Sequence, residues 1–120
     1  EMLDVIAYRS DNSDQTNVSI IKSSETSLYL GESSINKALL VDVYHEFSHP
    51  KEIMTSLYNA MKPGGKVYLV EYRGEDLTIP IKAIHKMTES QAILEMRAVG
   101  FRFKQNIDNL PWQHFLVFEK

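Results

Sequence analysis

Residues 45–49 read His-Glu-Phe-Ser-His, which matches H-E-x-x-H, the pattern of zinc metallohydrolases. In that chemistry, two histidines one helical turn apart hold zinc and the glutamate acts on the bound water. The pattern requires a helix through all five residues. Here the preceding residues read as a strand, and Pro50 disfavours helical geometry at His49. No third ligand follows on a helix, although Glu71, Glu75 and His85 are available in principle. His45-Glu46-x-x-His49 is therefore a weak signal, and the expected site carries no metal.

A second set of side chains gathers at strand ends. Asp42, Val43, Tyr44, His45 and Glu46 leave one predicted strand, and Glu71, Tyr72 and Arg73 leave the next. Trp112, Gln113 and His114 open a last strand that runs the other way, so they reach the same rim. In open α/β sheets, ligands sit outside the carboxyl ends of the strands. Glu46, Glu71, Tyr72, Arg73, Trp112, Gln113 and His114 are thus the expected substrate-binding residues. His45 is the best-placed base for a hydroxyl acceptor; its plainer role is to order the strand–helix junction. Tyr72 and Trp112 either line an apolar pocket or cover the sheet edge.

These residues need elements to position them. Lys37–Tyr44 (KALLVDVY) is apolar nearly without alternation, as expected of a parallel strand covered on both faces. Pro50 is suited to a helix start, and Ile53, Met54, Leu57, Tyr58 and Met61 follow helical spacing up to Lys62-Pro63-Gly64-Gly65, which stops the helix. Lys66–Tyr72 is the next strand. Thr88 and Gln91 have the spacing of a capping box for a helix that ends at Gly100. Phe101–Ile107 and Trp112–Phe118 form a closing antiparallel hairpin. Upstream, Glu1–Arg9 reads as the later part of an amphipathic helix, residues 10–17 as a polar break and Val18–Ile21 as a short strand. A chain opening at Glu1 within a helix is expected to be a trimmed polypeptide.

Composition limits the choices. The 120 residues suit one domain, and 43% hydrophobic with 24% charged side chains is ordinary for a globular chain. A net charge of −3 and no basic stripe argue against nucleic acid as partner. The longest apolar run, Ala38–Val41, cannot cross a bilayer, so no membrane is expected. The absence of cysteine fits a reducing, cytoplasmic setting.

Four segments in order carry a resemblance: DVYHEFSHP (42–50), AMKPGGKVYLVEYRGED (60–76), HKMTESQ (85–91) and LPWQHFLVFEK (110–120). Together the chain resembles the class I S-adenosylmethionine-dependent methyltransferases, most of all small bacterial ones related to the quinone-biosynthesis type. The resemblance implies a three-layer Rossmann-like α/β fold, mostly parallel with an antiparallel last strand, and methyl transfer to a small-molecule acceptor. It places Glu25 and Thr26 near the adenine of S-adenosylmethionine, and Asp42, Val43 and Tyr44 along its methionine part. Otherwise Asp42 is a buried carboxylate capping backbone N–H groups.

The Gly-rich loop of that family has no counterpart here, so the chain is expected to be the carboxyl-terminal part of the fold, inactive alone. A folded remnant that binds a partner chain is the non-catalytic alternative. The family sheet is ordered 3-2-1-4-5-7-6. Without strands 1 and 2, the Lys37–Tyr44 edge is expected to pair with Val18–Ile21 or with a second chain in a homodimer.

Overall fold

The computed structural model describes residues 1–12, 14 and 16–120. Three helices are found among them: α1 (Met2–Asp11), α2 (Pro50–Ala60) and α3 (Glu89–Val99). The strands are β1 (Ile35–Val41), β2 (Met61–Arg73), the short β3 (Lys86–Met87), β4 (Arg102–Asn106) and β5 (Gln113–Glu119). They form one sheet ordered β1-β2-β5-β4, with β3 added beside the end of β2. β1 and β3 run parallel to β2, while β5 runs antiparallel to both β2 and β4. This is the 4-5-7-6 portion of the expected order, with an antiparallel last strand.

The helices form where the sequence supplies their ends. Pro50 occupies the first turn of α2, where its missing N–H leaves no bond unmade. The Thr88 hydroxyl accepts the Gln91 backbone N–H at 3.2 Å. Only this half of the expected capping box is made, because the Gln91 side chain turns forward and donates to Glu95 at 2.5 Å. Gly100 ends α3 in the left-handed region, at φ 119°. Ile53, Met54 and Leu57 of α2 and Ala92 and Met96 of α3 pack on Val67, Leu69, Leu116 and Phe118 of the sheet. Each such large apolar side chain contributes about 1.5–3 kcal/mol when fully buried.

The Lys62–Gly65 segment does more than stop a helix. α2 ends at Ala60, and the segment forms an irregular first part of β2, with a register shift opposite Ile35 and Lys37. A Cβ on Gly65 would lie 2.8 Å from the Lys62 carbonyl oxygen, so the backbone there leaves no room for a side chain. Gly64 N–H donates to the Lys120 carbonyl, and Lys120 N–H donates to the Gly65 carbonyl, both at 3.0 Å. The Lys120 ammonium then donates to the carbonyls of Tyr58 (2.8 Å) and Met61 (3.0 Å), closing the C-terminus of α2.

Three expectations are corrected. Val18–Ile21 is not a strand and pairs with no strand among the described residues; Val18, Ile20 and Ile21 are exposed. A β-branched run becomes a strand only beside a partner ladder, and none is offered among the described residues. The strand expected over Lys37–Tyr44 stops at Val41, because Asp42 turns into the left-handed region at φ 49°. β1 is also not covered on both faces: Ala38 and Leu40 are half-buried, while Leu39 and Val41 are 65% and 50% exposed. The other helix, α1, spans the predicted segment and two residues more but buries no side chain. Ser10 and Asp11 of the expected polar break belong to it, whereas Ser13 and Gln15 lie outside the described residues.

Candidate functional site at the sheet rim

Asp42 sets the geometry at the end of β1. Its backbone N–H donates to the Val70 carbonyl at 2.8 Å, and its left-handed turn directs the chain across the end of β2. The Tyr44 N–H then donates to Oε1 of Glu71 at 2.8 Å, and His45 Nδ1 lies 2.6 Å from Oε2 of the same carboxylate. Glu71 is 1% exposed. A carboxylate that deep requires hydrogen bonds to both oxygens, and it has one on each. Residues 44–46 consequently form a 3-10 turn anchored to the end of β2.

Tyr44 extends this network. Its hydroxyl donates to Glu95 at 2.6 Å. Burial raises its pKa first, reinforced by that hydrogen bond and by the negative charges of Glu95 and Glu71, so the phenol stays protonated far above its usual range. Tyr44, His45, Phe47, Lys86, Gln91 and Glu95 line a cavity of about 420 Å³ between the rim and α3. Glu95 and Lys86 are contributions that the sequence analysis did not single out. The i, i+4 spacing of Gln91 and Glu95 was the one available signal for the first.

The H-E-x-x-H segment does not form the helix that its chemistry needs. Phe47 is extended, and His49 precedes α2 at φ −130° and ψ 65°. The zinc-hydrolase reading of His45 with His49 fails on this backbone. His49 instead faces Ser48 (3.1 Å) and Glu25 (3.9 Å). The residue that approaches His45 is His85, in a 3-10 turn at Ala83–His85: the two rings are 5.2 Å apart, centre to centre. Glu46 Oε1 lies 3.2 Å from His45 Nε2 and 3.0 Å from His85 Nδ1.

The other predicted residues divide by position. Gln113 donates to Asp42 Oδ2 at 3.1 Å, while Asp42 Oδ1 is buried without a hydrogen-bond partner. The carboxylate thus holds a glutamine side chain rather than capping backbone N–H groups. Arg73 binds the β4–β5 connection through Asp108 (2.6 Å) and the carbonyls of Leu110 and Pro111 (both 2.9 Å). His114 is buried and pairs through Nε2 with Glu75 at 2.8 Å. Burial alone would raise the Glu75 carboxyl, but the backbone N–H groups of Glu89 and of Glu75 itself, with His114, hold it below the ordinary carboxylate range. Glu75 thereby also closes the N-terminus of α3, accepting Glu89 N–H at 2.6 Å. Val43 and Trp112 are exposed and Tyr72 is half-buried. Thr26 borders a separate depression against Lys51, Glu52 and Thr55 of α2, and neither it nor Glu25 lines the rim cavity.

No protein-family model matches the chain, and no curated protein matches it in sequence. Solved structures do match in fold. A SAM-dependent methyltransferase from Aquifex aeolicus superposes with a TM-score of 0.88 at 16% identity, covering 98% of this chain and 62% of its own. A putative type 11 methyltransferase from Sulfolobus solfataricus matches with TM-score 0.75 at 17% identity, over 98% of this chain and 67% of its own. A possible histamine N-methyltransferase from Thermotoga maritima matches with TM-score 0.75 at 18% identity, over 100% of this chain and 69% of its own. The chain therefore spans about two thirds of the length of these structures, and it has the Rossmann-like fold of the SAM-dependent methyltransferases over that portion.

Proposed function

We propose that this chain supplies the acceptor side and part of the cofactor side of a methyltransferase that uses S-adenosylmethionine on a small molecule. The observation that carries the reading is Glu71, which holds the Tyr44 backbone and the His45 ring together at the carboxyl end of the sheet. The cofactor supplies an activated methyl group on a sulfonium. The buried, unpartnered Asp42 Oδ1 fits a donor of its methionine part, with Val43 and Tyr44 alongside. Glu25 and Thr26 belong to the adenine end in this reading.

The chain's own residues position the acceptor and move a proton. With Nδ1 donating to Glu71, Nε2 of His45, which faces Glu46 across 3.2 Å, takes the acceptor's proton as the methyl group passes from sulfur to the acceptor. Tyr44 remains a neutral donor to Glu95 and so supplies a fixed wall rather than a base. Alignment and exclusion of water provide most of the acceleration in such a displacement. Glu46, Glu71, Tyr72, Arg73, Trp112, Gln113 and His114 make or brace the acceptor side; for Arg73 and His114 the support is structural, given their internal partners. The resemblance to quinone-biosynthesis enzymes supports a small organic acceptor.

The chain is proposed to depend on a further segment that carries a Gly-rich loop. Calorimetric titration with S-adenosylhomocysteine and a methyl-transfer assay test this together. The chain alone is expected to bind poorly and to be inactive. Tight binding by these 120 residues would overturn the dependence, and no binding even beside a loop-bearing partner segment would overturn the methyltransferase reading. One observation favours a second reading, a non-catalytic remnant that pairs with another chain: among the described residues, the outer edge of β1 has no neighbouring strand.

A further inference from the structure

We infer that His45 Nε2, His85 Nδ1 and a carboxylate oxygen of Glu46 form a three-ligand site for a zinc-class divalent cation. The inference goes beyond the methyl-transfer reading, because capture of an ion by these side chains requires no cofactor. One ligand atom from each of the three side chains lies within 4.8 Å of those from the other two. Two of the separations, 3.2 Å and 3.0 Å, converge on one oxygen of Glu46. Zinc bonds of about 2.0–2.2 Å set tetrahedral ligand–ligand edges of roughly 3.3–3.5 Å, so these two edges need to open by only a few tenths of an ångström. His85 and Glu46 are partly exposed, at 43% and 59%, and free to make that adjustment, whereas His45 is fixed.

The charge pattern accommodates a cation. A carboxylate at Glu71 accepts hydrogen bonds, so an Nδ1 proton on His45 is directed at it. The lone pair on Nε2 then faces a second carboxylate, Glu46, across 3.2 Å. Two acceptors at that distance repel unless a positive centre lies between them. A second ring proton would satisfy this pair without His85. A ring N–H of His85 can likewise satisfy its own contact with Glu46; an ion would use all three groups at once, which is what their convergence offers. Glu71, His45 and the ion then form the carboxylate–histidine–metal series that orients ligating imidazoles and raises their basicity. Two imidazoles and one carboxylate suit zinc and leave a fourth position open, whereas magnesium and calcium prefer all-oxygen sites. An ion seated here would hold the Nε2 lone pair, so His45 would act as the methyl-transfer base only in the metal-free chain.

The test is calorimetric titration of the chelator-treated full chain with zinc chloride, together with the visible spectrum of the cobalt(II) form. One zinc per chain is expected, with the intense absorption of four-coordinate cobalt. His85→Ala and Glu46→Gln should abolish stoichiometric binding, and His49→Ala should leave it unchanged. Glu71→Gln, which touches no ion, should weaken binding by about 10- to 100-fold. Circular dichroism checks that each variant folds, and the cobalt spectrum of the unaltered chain decides the matter should one fail to. Absence of stoichiometric zinc, a six-coordinate cobalt spectrum, or binding that follows His49 rather than His85 would overturn the inference. Because no S-adenosylmethionine is added, failure here and failure of the methyl-transfer reading are separate results.

Discussion

Glu71 Oε2 lies 2.6 Å from His45 Nδ1, across 26 residues of sequence, and this contact fixes which face of the imidazole looks outward. In the absence of added metal, the neutral ring should carry its proton on Nδ1. Glu71→Gln places an amide there whose N–H can donate to Nδ1, so the proton should move to Nε2. Histidine nitrogen chemical shifts report the tautomer directly, and an unchanged pattern in the variant would refute the assignment. The same substitution should lower stability by about 1–3 kcal/mol, since it weakens charge-assisted bonds around a buried group.

Glu75 predicts a specific dependence on acidity. Its carboxyl is held below the ordinary range in the folded chain, so it contributes stability in full above the unfolded value and loses it as pH falls through the folded one. Glu75→Gln should therefore be destabilising at about pH 7 and progressively less so towards about pH 3, in the acid limb where carboxylates titrate. Urea unfolding of both proteins across that interval measures the difference. A penalty that persists undiminished in acid would assign the role of Glu75 to shape rather than charge.

Arg73 joins three acceptors on the β4–β5 connection. A lysine ammonium cannot span them in the guanidinium's planar geometry. Arg73→Lys should increase hydrogen exchange over residues 108–111 and lower stability by about 1 kcal/mol. Asp108→Asn should cost only a few tenths, because that carboxylate is largely in water. Equal effects of the two variants would show that the ion pair, and not the carbonyl contacts, holds the loop.

The β1 edge leads to a prediction about assembly. If two chains associate through it, as proposed from the family strand order, light scattering should report a dimer whose formation weakens on Leu39→Lys and Val41→Lys. Both side chains are exposed on one face of that strand. A monomer at high concentration would remove the homodimer proposal and leave a strand from another segment as the occupant.

Legibility in the sequence followed the range of the interactions. α2 and α3 could be read because Pro50, Thr88 and Gly100 act on their immediate neighbours. The end of β1 was misplaced because Val43 and Tyr44 have the composition of a strand, while the force that bends them away is the hydrogen bond to Glu71, 27 residues on. Val18–Ile21 failed in the converse way: local preference was present and a partner was not. At the rim, His45 and Glu71 were both singled out, but their pairing was invisible. The meeting of His85 with Glu46 depends on how the 73–86 connection folds back, for which no periodicity exists. Arg73 and His114 had the right chemistry for a ligand site, and the structure commits them to internal partners.

Lys120 has a practical consequence for anyone handling the protein. Its backbone meets Gly64 and Gly65 and its ammonium seals the last turn of α2, so Lys120 acts as a clasp between helix and sheet. Amine-directed fluorophores and tethers are to be avoided, because acylating this ammonium removes its charge from the last turn of α2. Loss of that charge should loosen the joint between α2 and β2, far from the rim chemistry.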